Sequence, residues 1–462
     1  MESLLIRNGR LIDPSQNLDR IGDLCISEGK IYSLENAPPP DSQVLNAEGL
    51  IVCPGFIDFH CHLRQPGYEA KETIATGARA AAKGGFTTVC CMPNTNPPLD
   101  SPEVIDYILR EAAKEAVVRV LPIGVISRGR QGKELTDMGR LAAAGAVAFS
   151  DDGTPVSSSP LMYQALDCSR TVGLPVIDHC EDLTLSQGGQ MHEGRVSLEL
   201  GLQGIPSAAE ENMVARNLTL AGQLPGSHLH IAHVSTEGSV ELIRRAREKG
   251  VPVTAEVTPH HLTLTDEAVR GYNTDAKVSP PLRTERDIRA LIGGLKEGVI
   301  DFIVTDHAPH AGVDKRCEFN RAASGISIFE TALGSLMGLV HEGQLTLNML
   351  ISRLTTDPAK IFRPEKPGIS QGGTPGDVSV SGPSKFFRPE KMGTLQGGAP
   401  GDVTIFDPDK EWLVDTADFV SKGKNTPLAG AVLKGKVMAT VYGGKLVYRD
   451  EAIKLTAFQG NR

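Results

Sequence analysis

The first fifty residues alternate apolar and polar positions between Gly, Asn and Pro, in LLIRNGRLID, GDLCISEGKIYSL and QVLNAEGLIVCPG. A period of two predicts short strands, and no helical period appears there. This layer is too small to hold a core of its own. From Gly55 the pattern changes to short apolar runs separated by helix-like stretches. The runs are GFIDFHCHLR, TTVCCMPN, VVRVLPIGVIS, AVAFSDD, LPVIDHCED, HLHIAHVS, VPVTAEVTPHH and DFIVTDHAPH. Helical periods appear in KETIATGARAAAKGG, SPEVIDYILREAAKEA, SAAEENMVARNLTLAG and STEGSVELIRRAREKG. Eight strands alternating with helices predict an α/β fold, a (β/α)8 TIM-like barrel. A doubly wound sheet would carry a Gly-rich phosphate loop after its first strand, and no G-x-G-x-x-G stands there.

The tail returns to strand patterns in GDVTIFDP and GAVLKGKVMATVYGGKLVYRD. The two chain ends are therefore expected to form a small composite β-sandwich domain, residues 1–53 with 379–462, beside a barrel over 54–362. Between them, RPEKPGISQGGTPGDV (363–378) recurs as RPEKMGTLQGGAPGDV (388–403). Two copies are too few for a solenoid. Residues 363–403 read as a duplicated, exposed Gly/Pro-rich loop.

Composition narrows the class. The 462 residues are 40% hydrophobic and 22% charged, with a net charge of −9. That balance argues against nucleic acid or an anionic membrane as main partner, while leaving room for an anionic small molecule in a locally basic pocket. No apolar run approaches the roughly 18 residues of a membrane helix. MESLLIRNGRLIDPSQ lacks a signal-peptide h-region. The eight cysteines form no C-x-x-C pair and are expected to be reduced thiols in a cytoplasmic protein.

Ionisable and amide side chains then collect at one end of the predicted strands. His60 and His62 close the first, Asn94 the second, Asp151 and Asp152 the fourth, His179 the fifth, His233 the sixth and Asp306 the eighth. The C-terminal strand ends of such a barrel face the active site, and histidines used only for packing would be scattered. His60 and His62 are two apart on a strand, so both point to one face about 6–7 Å apart, while Cys61 points away into packing. Neutral imidazoles with carboxylates describe a zinc-type site. A metal there lowers the pKa of a bound water from about 16 to about 7.

Together DFHCHLRQPG, MPNTNPP, AFSDDG, IDHCED, AHVST, PPLRTERD and TDHAPH resemble, in order and over nearly the whole chain, type I dihydroorotases of the amidohydrolase superfamily. The resemblance implies a zinc-dependent cyclic-amide hydrolase, with one or two Zn2+ per subunit, interconverting N-carbamoyl-L-aspartate and L-dihydroorotate in pyrimidine synthesis. It implies His60, His62 and Asp306 at one metal and His179 and His233 at the other. Many superfamily members bridge the metals with a carboxylated lysine on strand four; GAVAFSDDG has none, so an aspartate must bridge. The family pattern favours Asp152, leaving Asp151 to orient ligands.

The implied substrate is a dianionic small molecule. Arg64 is placed to fork onto a carboxylate, Asn94 to add an amide, and His310 is the family's third contact. Ser279 stands where the family commonly has asparagine before PPLR, and remains a shorter-reaching contact. Ser324 and Gly325 fall where the family uses backbone groups, within AGVDKRCEFNRAASGIS, a segment read either as a lid or as a plain connector. Asp306 is expected to take a proton from the attacking water and deliver it to the leaving nitrogen. His260 and His261 are read as supports around the site; His192, His228, His230 and His341 as structural or surface residues. A homo-oligomer is expected, with aspartate transcarbamoylase as a further partner to consider. Rival readings are a hydantoinase, dihydropyrimidinase or allantoinase, which carry the strand-four lysine, and a catalytically silent scaffold for aspartate transcarbamoylase, which would have lost metal histidines.

Overall fold

The eight expected parallel strands are present in a computed structural model that describes residues 3–32, 39, 42–362 and 391–458. They are β1 (Phe56–Cys61), β2 (Phe86–Cys91), β3 (Arg119–Pro122), β4 (Phe149–Ser150), β5 (Val176–Asp178), β6 (Leu229–Ile231), β7 (Val253–Val257) and β8 (Phe302–Ile303). Adjacent strands pair in parallel from β1 to β3 and from β4 to β8. Two short seams close the ring. Gly124 bridges Phe149 and accepts from Ser150 N at 2.8 Å, while Cys61 bridges His307 and His60 O accepts from Asp306 N at 2.9 Å. Closure leaves the strands no free edge.

Ile57, Phe59, Cys90, Leu121, Ile123, Ala148, Ile177, Ala232, Phe302 and Val304 fill the barrel interior as one buried cluster. Phe56, Cys61, Val89, Leu229 and Ile231 pack outward with the helices. Both faces of each strand are thus buried, which is why these segments read as near-continuous apolar runs. The helices start where the sequence signals them. Thr73 caps Ile74–Lys83 through Thr76 N, Thr236 caps Glu237–Glu248 through Ser239 N, and Pro102 occupies the first turn of Pro102–Glu115.

The chain ends combine as expected. Leu4–Asp13 pairs with Leu18–Ser27 on one side and with both Gln43–Asn46 and Ile51–Pro54 on the other, so the sheet branches there. Ile51–Pro54 pairs with Val403–Phe406, and Leu455–Ala457 with Gln43–Leu45. Leu4, Ile6, Leu24, Leu45, Val52, Ile405, Ala439 and Val441 close a core that neither terminus could close alone. Of the duplicated segment, 363–390 lies outside the described residues. The part from 391 onward is not an exposed loop: Leu395 and Ala399 are buried in the composite core, and Asp13 accepts from Leu395 N at 2.6 Å. An apolar residue every few positions, against a carboxylate able to take the loop's N–H groups, is what draws it in.

Candidate metal centre and carboxylate pocket

Strand β1 carries a register shift between Asp58 and Cys61 against β2. Strict alternation would put His60 opposite Ile57 and Phe59. The bulge resets the faces, so the interior packing residues and both histidines point inward while Cys61 joins the outer layer. His233 and Asp306 lie beyond the ends of β6 and β8 with φ of 31° and 45°, and Arg64 has φ of 60°. Left-handed backbone at non-glycine residues costs about 1–3 kcal/mol each, and here three such residues converge on one site.

Asp152 is at the middle of the cluster. Its Oδ1 is 3.4 Å from His60 Nε2, 3.5 Å from His233 Nε2 and 3.8 Å from His179 Nδ1, and its Oδ2 is 3.4 Å from His62 Nε2. Asp306 Oδ1 lies 3.0 Å from His62 Nε2 and 3.6 Å from His60 Nε2. Two sets, His60–Asp152–His233 and His60–His62–Asp306, have ligand atoms close enough to share one ion each. His179 Nδ1 and His233 Nε2 approach to 2.8 Å. His60 Nε2 and Asp152 Oδ1 face each other fully buried without a hydrogen-bond partner. Burial without a partner is expensive for such atoms, and a divalent cation between them satisfies both. The donor set, imidazole nitrogens and carboxylate oxygens, fits a zinc-type ion.

The other ring atoms are fixed by neighbours. His60 Nδ1 donates to Glu256 Oε1 at 2.6 Å, and Glu256 Oε2 is 2.9 Å from His230 Nε2. His62 Nδ1 donates to Asn94 Oδ1 at 2.9 Å. Both bonds leave Nε2 with its lone pair turned to the centre, the arrangement a metal-binding histidine needs. Burial alone would raise the Glu256 carboxyl, but the facing His60 and His230 rings outweigh it and hold the group at about 2. Asp152 and Asp306 likewise stay below the ordinary carboxylate range: burial opposes this, and the facing histidine rings, His60 first, overcome it.

Asp151 is employed differently. It accepts from Ile126 N at 2.9 Å, Ser127 N at 3.1 Å and the Ser127 hydroxyl. Arg130 donates to the carbonyls of both Asp151 and Asp152. His260 is fully buried with neither ring nitrogen partnered, and His261 is taken up by Thr258 Oγ1 and Pro280 O.

A second cluster adjoins the first. Arg64 donates from Nε to Pro309 O at 3.3 Å, and its Nη2 lies 3.4 Å from His310 Nε2. His310 Nε2 donates to Ser324 O at 2.8 Å, so its Nδ1 is the acceptor that faces Lys71 Nζ at 3.3 Å. Burial, then the Arg64 and Lys71 charges, bring His310 down to about 2. His310 is thereby neutral and Asp314 Oδ2 lies 3.4 Å from Lys71 Nζ, so the positive charge left at this end of the site is that of Arg64. Gly325 N donates to Lys277 O at 2.9 Å, so in this structure its N–H has a partner within the protein. Ser279 lines a cleft with His179, Glu181 and Arg283 rather than the Arg64–His310 cluster.

Sequence reasoning missed Glu256, Arg130 and Lys71. A lone glutamate in the apolar run VPVTAEV was a usable signal, because an ionised carboxylate is rarely buried without partners. Arg130 ends a short 3-10 helix (Arg128–Arg130) and Lys71 lies in a turn, places where basic residues ordinarily face solvent.

Fold and site together define a (β/α)8 hydrolase of the amidohydrolase type. Solved structures share the architecture: an L-hydantoinase (dihydropyrimidinase) from Arthrobacter aurescens superposes with TM-score 0.82 at 23% identity, covering 99% of this chain and 98% of that one. A D-hydantoinase (dihydropyrimidinase) from Thermus sp. gives 0.76 at 24%, covering 97% and 95%. The family model described as dihydro-orotase-like matches residues 49–239. A dihydroorotase from Syntrophus aciditrophicus is 48% identical over 97% of this chain and 100% of its own length, and one from Caldanaerobacter subterraneus 48% over 96% and 97%. The chain belongs to the dihydroorotase family.

Proposed function

We propose that this hydrolase interconverts N-carbamoyl-L-aspartate and L-dihydroorotate with zinc held by His60, His62, Asp152, His179, His233 and Asp306. The observation that carries the reading is the pairing of an imidazole–carboxylate centre with a cationic pocket. A bare cyclic amide needs the first only; a ring that also bears a carboxylate needs both. A metal held by these residues would supply a Lewis acid and lower the pKa of water. Asp152 is the shared carboxylate, in place of the lysine expected of hydantoinase-type enzymes, and the 48% relatives are dihydroorotases. No metal histidine is missing, which disfavours a silent scaffold.

The chain's own residues divide the remaining work. Arg64 holds the substrate carboxylate, and His310 contacts it by redirecting the Nε2–H that Ser324 O accepts in this structure. Asn94 orients His62 and offers its amide, and Ser324 and Gly325 border the pocket. Ser279 reaches the site from the His179 side. Asp306 accepts a proton from the attacking water and delivers it to the ring nitrogen as the amide bond breaks. In a substrate panel of dihydroorotate, hydantoin and allantoin, dihydroorotate should be the best; dihydroorotate as the poorest overturns the reading. Asp306→Asn should lower kcat by about 10²-fold or more with metal content retained, as measured by elemental analysis. Among the described residues no helix is long and apolar enough to cross a membrane.

A further inference from the structure

The pocket around His310 is backed by a segment from outside the barrel. Residues 421–425 belong to the connection between Val403–Leu413 and Val432–Tyr442, two strands of the composite sheet. Ser421 donates to the Glu72 carboxylate, and Lys422 N donates to the same group. Gly423 passes so close to the pocket turn that a Cβ there would lie 2.5 Å from Pro309 Cβ and 2.8 Å from His310 N. The segment ends at Asn425, which is 4% exposed. Asn425 Oδ1 accepts from His310 N at 2.8 Å. Its Nδ2 donates to Gly325 O at 2.9 Å and Ala308 O at 3.3 Å. Its own carbonyl accepts from Ser327 N at 2.7 Å.

We propose that Asn425 is a positioning residue for recognition of the substrate carboxylate. One side chain ties together the two strands of chain that carry His310 on one side and Ser324–Gly325 on the other. Only an amide does this, because one partner is an N–H and two are carbonyls, so an acceptor and two donors are needed at a single position. A hydroxyl supplies one donor; a carboxylate would set a negative oxygen against two carbonyls. Asn425 itself touches none of the candidate metal ligands, so its effect passes through His310 and the 324–325 turn. The inference rests on the reading of that pocket as the carboxylate site.

The test is steady-state kinetics of the metal-loaded enzyme with dihydroorotate, for native protein, Asn425→Ala and Asn425→Asp. Displacing a binding group by an ångström can cost on the order of 10²-fold. KM should rise at least about tenfold in Asn425→Ala and further in Asn425→Asp, with kcat within about threefold and metal content equal to native. Unchanged KM with a fall only in kcat, in metal content or in thermal stability overturns the proposal, since a purely structural role lowers the active fraction and leaves KM alone. If Asn425→Ala does not accumulate folded, Asn425→Ser carries the same comparison. Absence of native turnover of dihydroorotate overturns the function reading and this inference with it; native turnover with unaltered KM in the variants overturns this inference alone.

Discussion

Asp151 is held by three donors from the turn at Ile126–Ser127, whereas Asp152 projects among His60, His62, His179 and His233. Asp152→Ala should therefore strip metal from the protein, while Asp151→Ala should retain most of it and lose thermal stability instead. Elemental analysis of the two purified variants, with unfolding curves, separates these outcomes. Glu256 acts one step further out. Its carboxylate fixes the His60 tautomer and shares its charge with His230. Glu256→Gln keeps the shape, removes the charge and should weaken metal affinity about 10–100-fold, read by competition with a chelator.

Elements bring these residues together by departing from regular geometry. The bulge in β1 turns His60 and His62 inward, and the left-handed residues His233 and Asp306 aim their side chains past the ends of β6 and β8. The segment after β8 is pinned against 274–279 rather than hanging free. Lys315 Nζ donates to Thr274 O at 2.9 Å and Lys277 O at 3.3 Å, and Lys277 Nζ donates to Gln190 Oε1 at 2.7 Å and Phe319 O at 2.8 Å. Burial lowers Lys315 from 10.5 to about 8, only partly offset by Asp275. Between those two values the unfolded chain keeps a proton that the folded one has lost, so stability rises with pH across that window. The native protein should gain up to about 3 kcal/mol relative to Lys315→Met between pH 8 and 10.5. Denaturant unfolding at both ends of the range measures the difference. A flat difference would mean that the lysine titrates normally.

At the scale of the molecule, the termini build one sheet and that sheet reaches into the barrel's site. Ile405 is fully buried in a core that joins strands from both chain ends, and pairs with Val52 across them. Ile405→Ala should destabilise the protein by about 2–5 kcal/mol in denaturant unfolding. Because that core lies away from the metal centre, KM and metal content of the folded variant should match native.

The order of elements was legible in the chain. Eight apolar runs divided by helical periods define the barrel, and LLIRNGRLID reappears intact as Leu4–Asp13. The clustering of His60, His62, Asp152, His179, His233 and Asp306 at strand ends was legible for the same reason, since a barrel's topology turns a repeated sequence position into one place in space. Asn425 carried no such sign, because SKGKNTPLAG has the composition of any polar surface loop. Nor could alternation in FIDFHCH foretell a bulge, or separate Asp151 from Asp152. Those choices depend on which donors approach from segments distant in sequence. The period of the chain determined the architecture, and only the tertiary packing decided which neighbouring polar groups turned toward the site and which were spent holding it in shape.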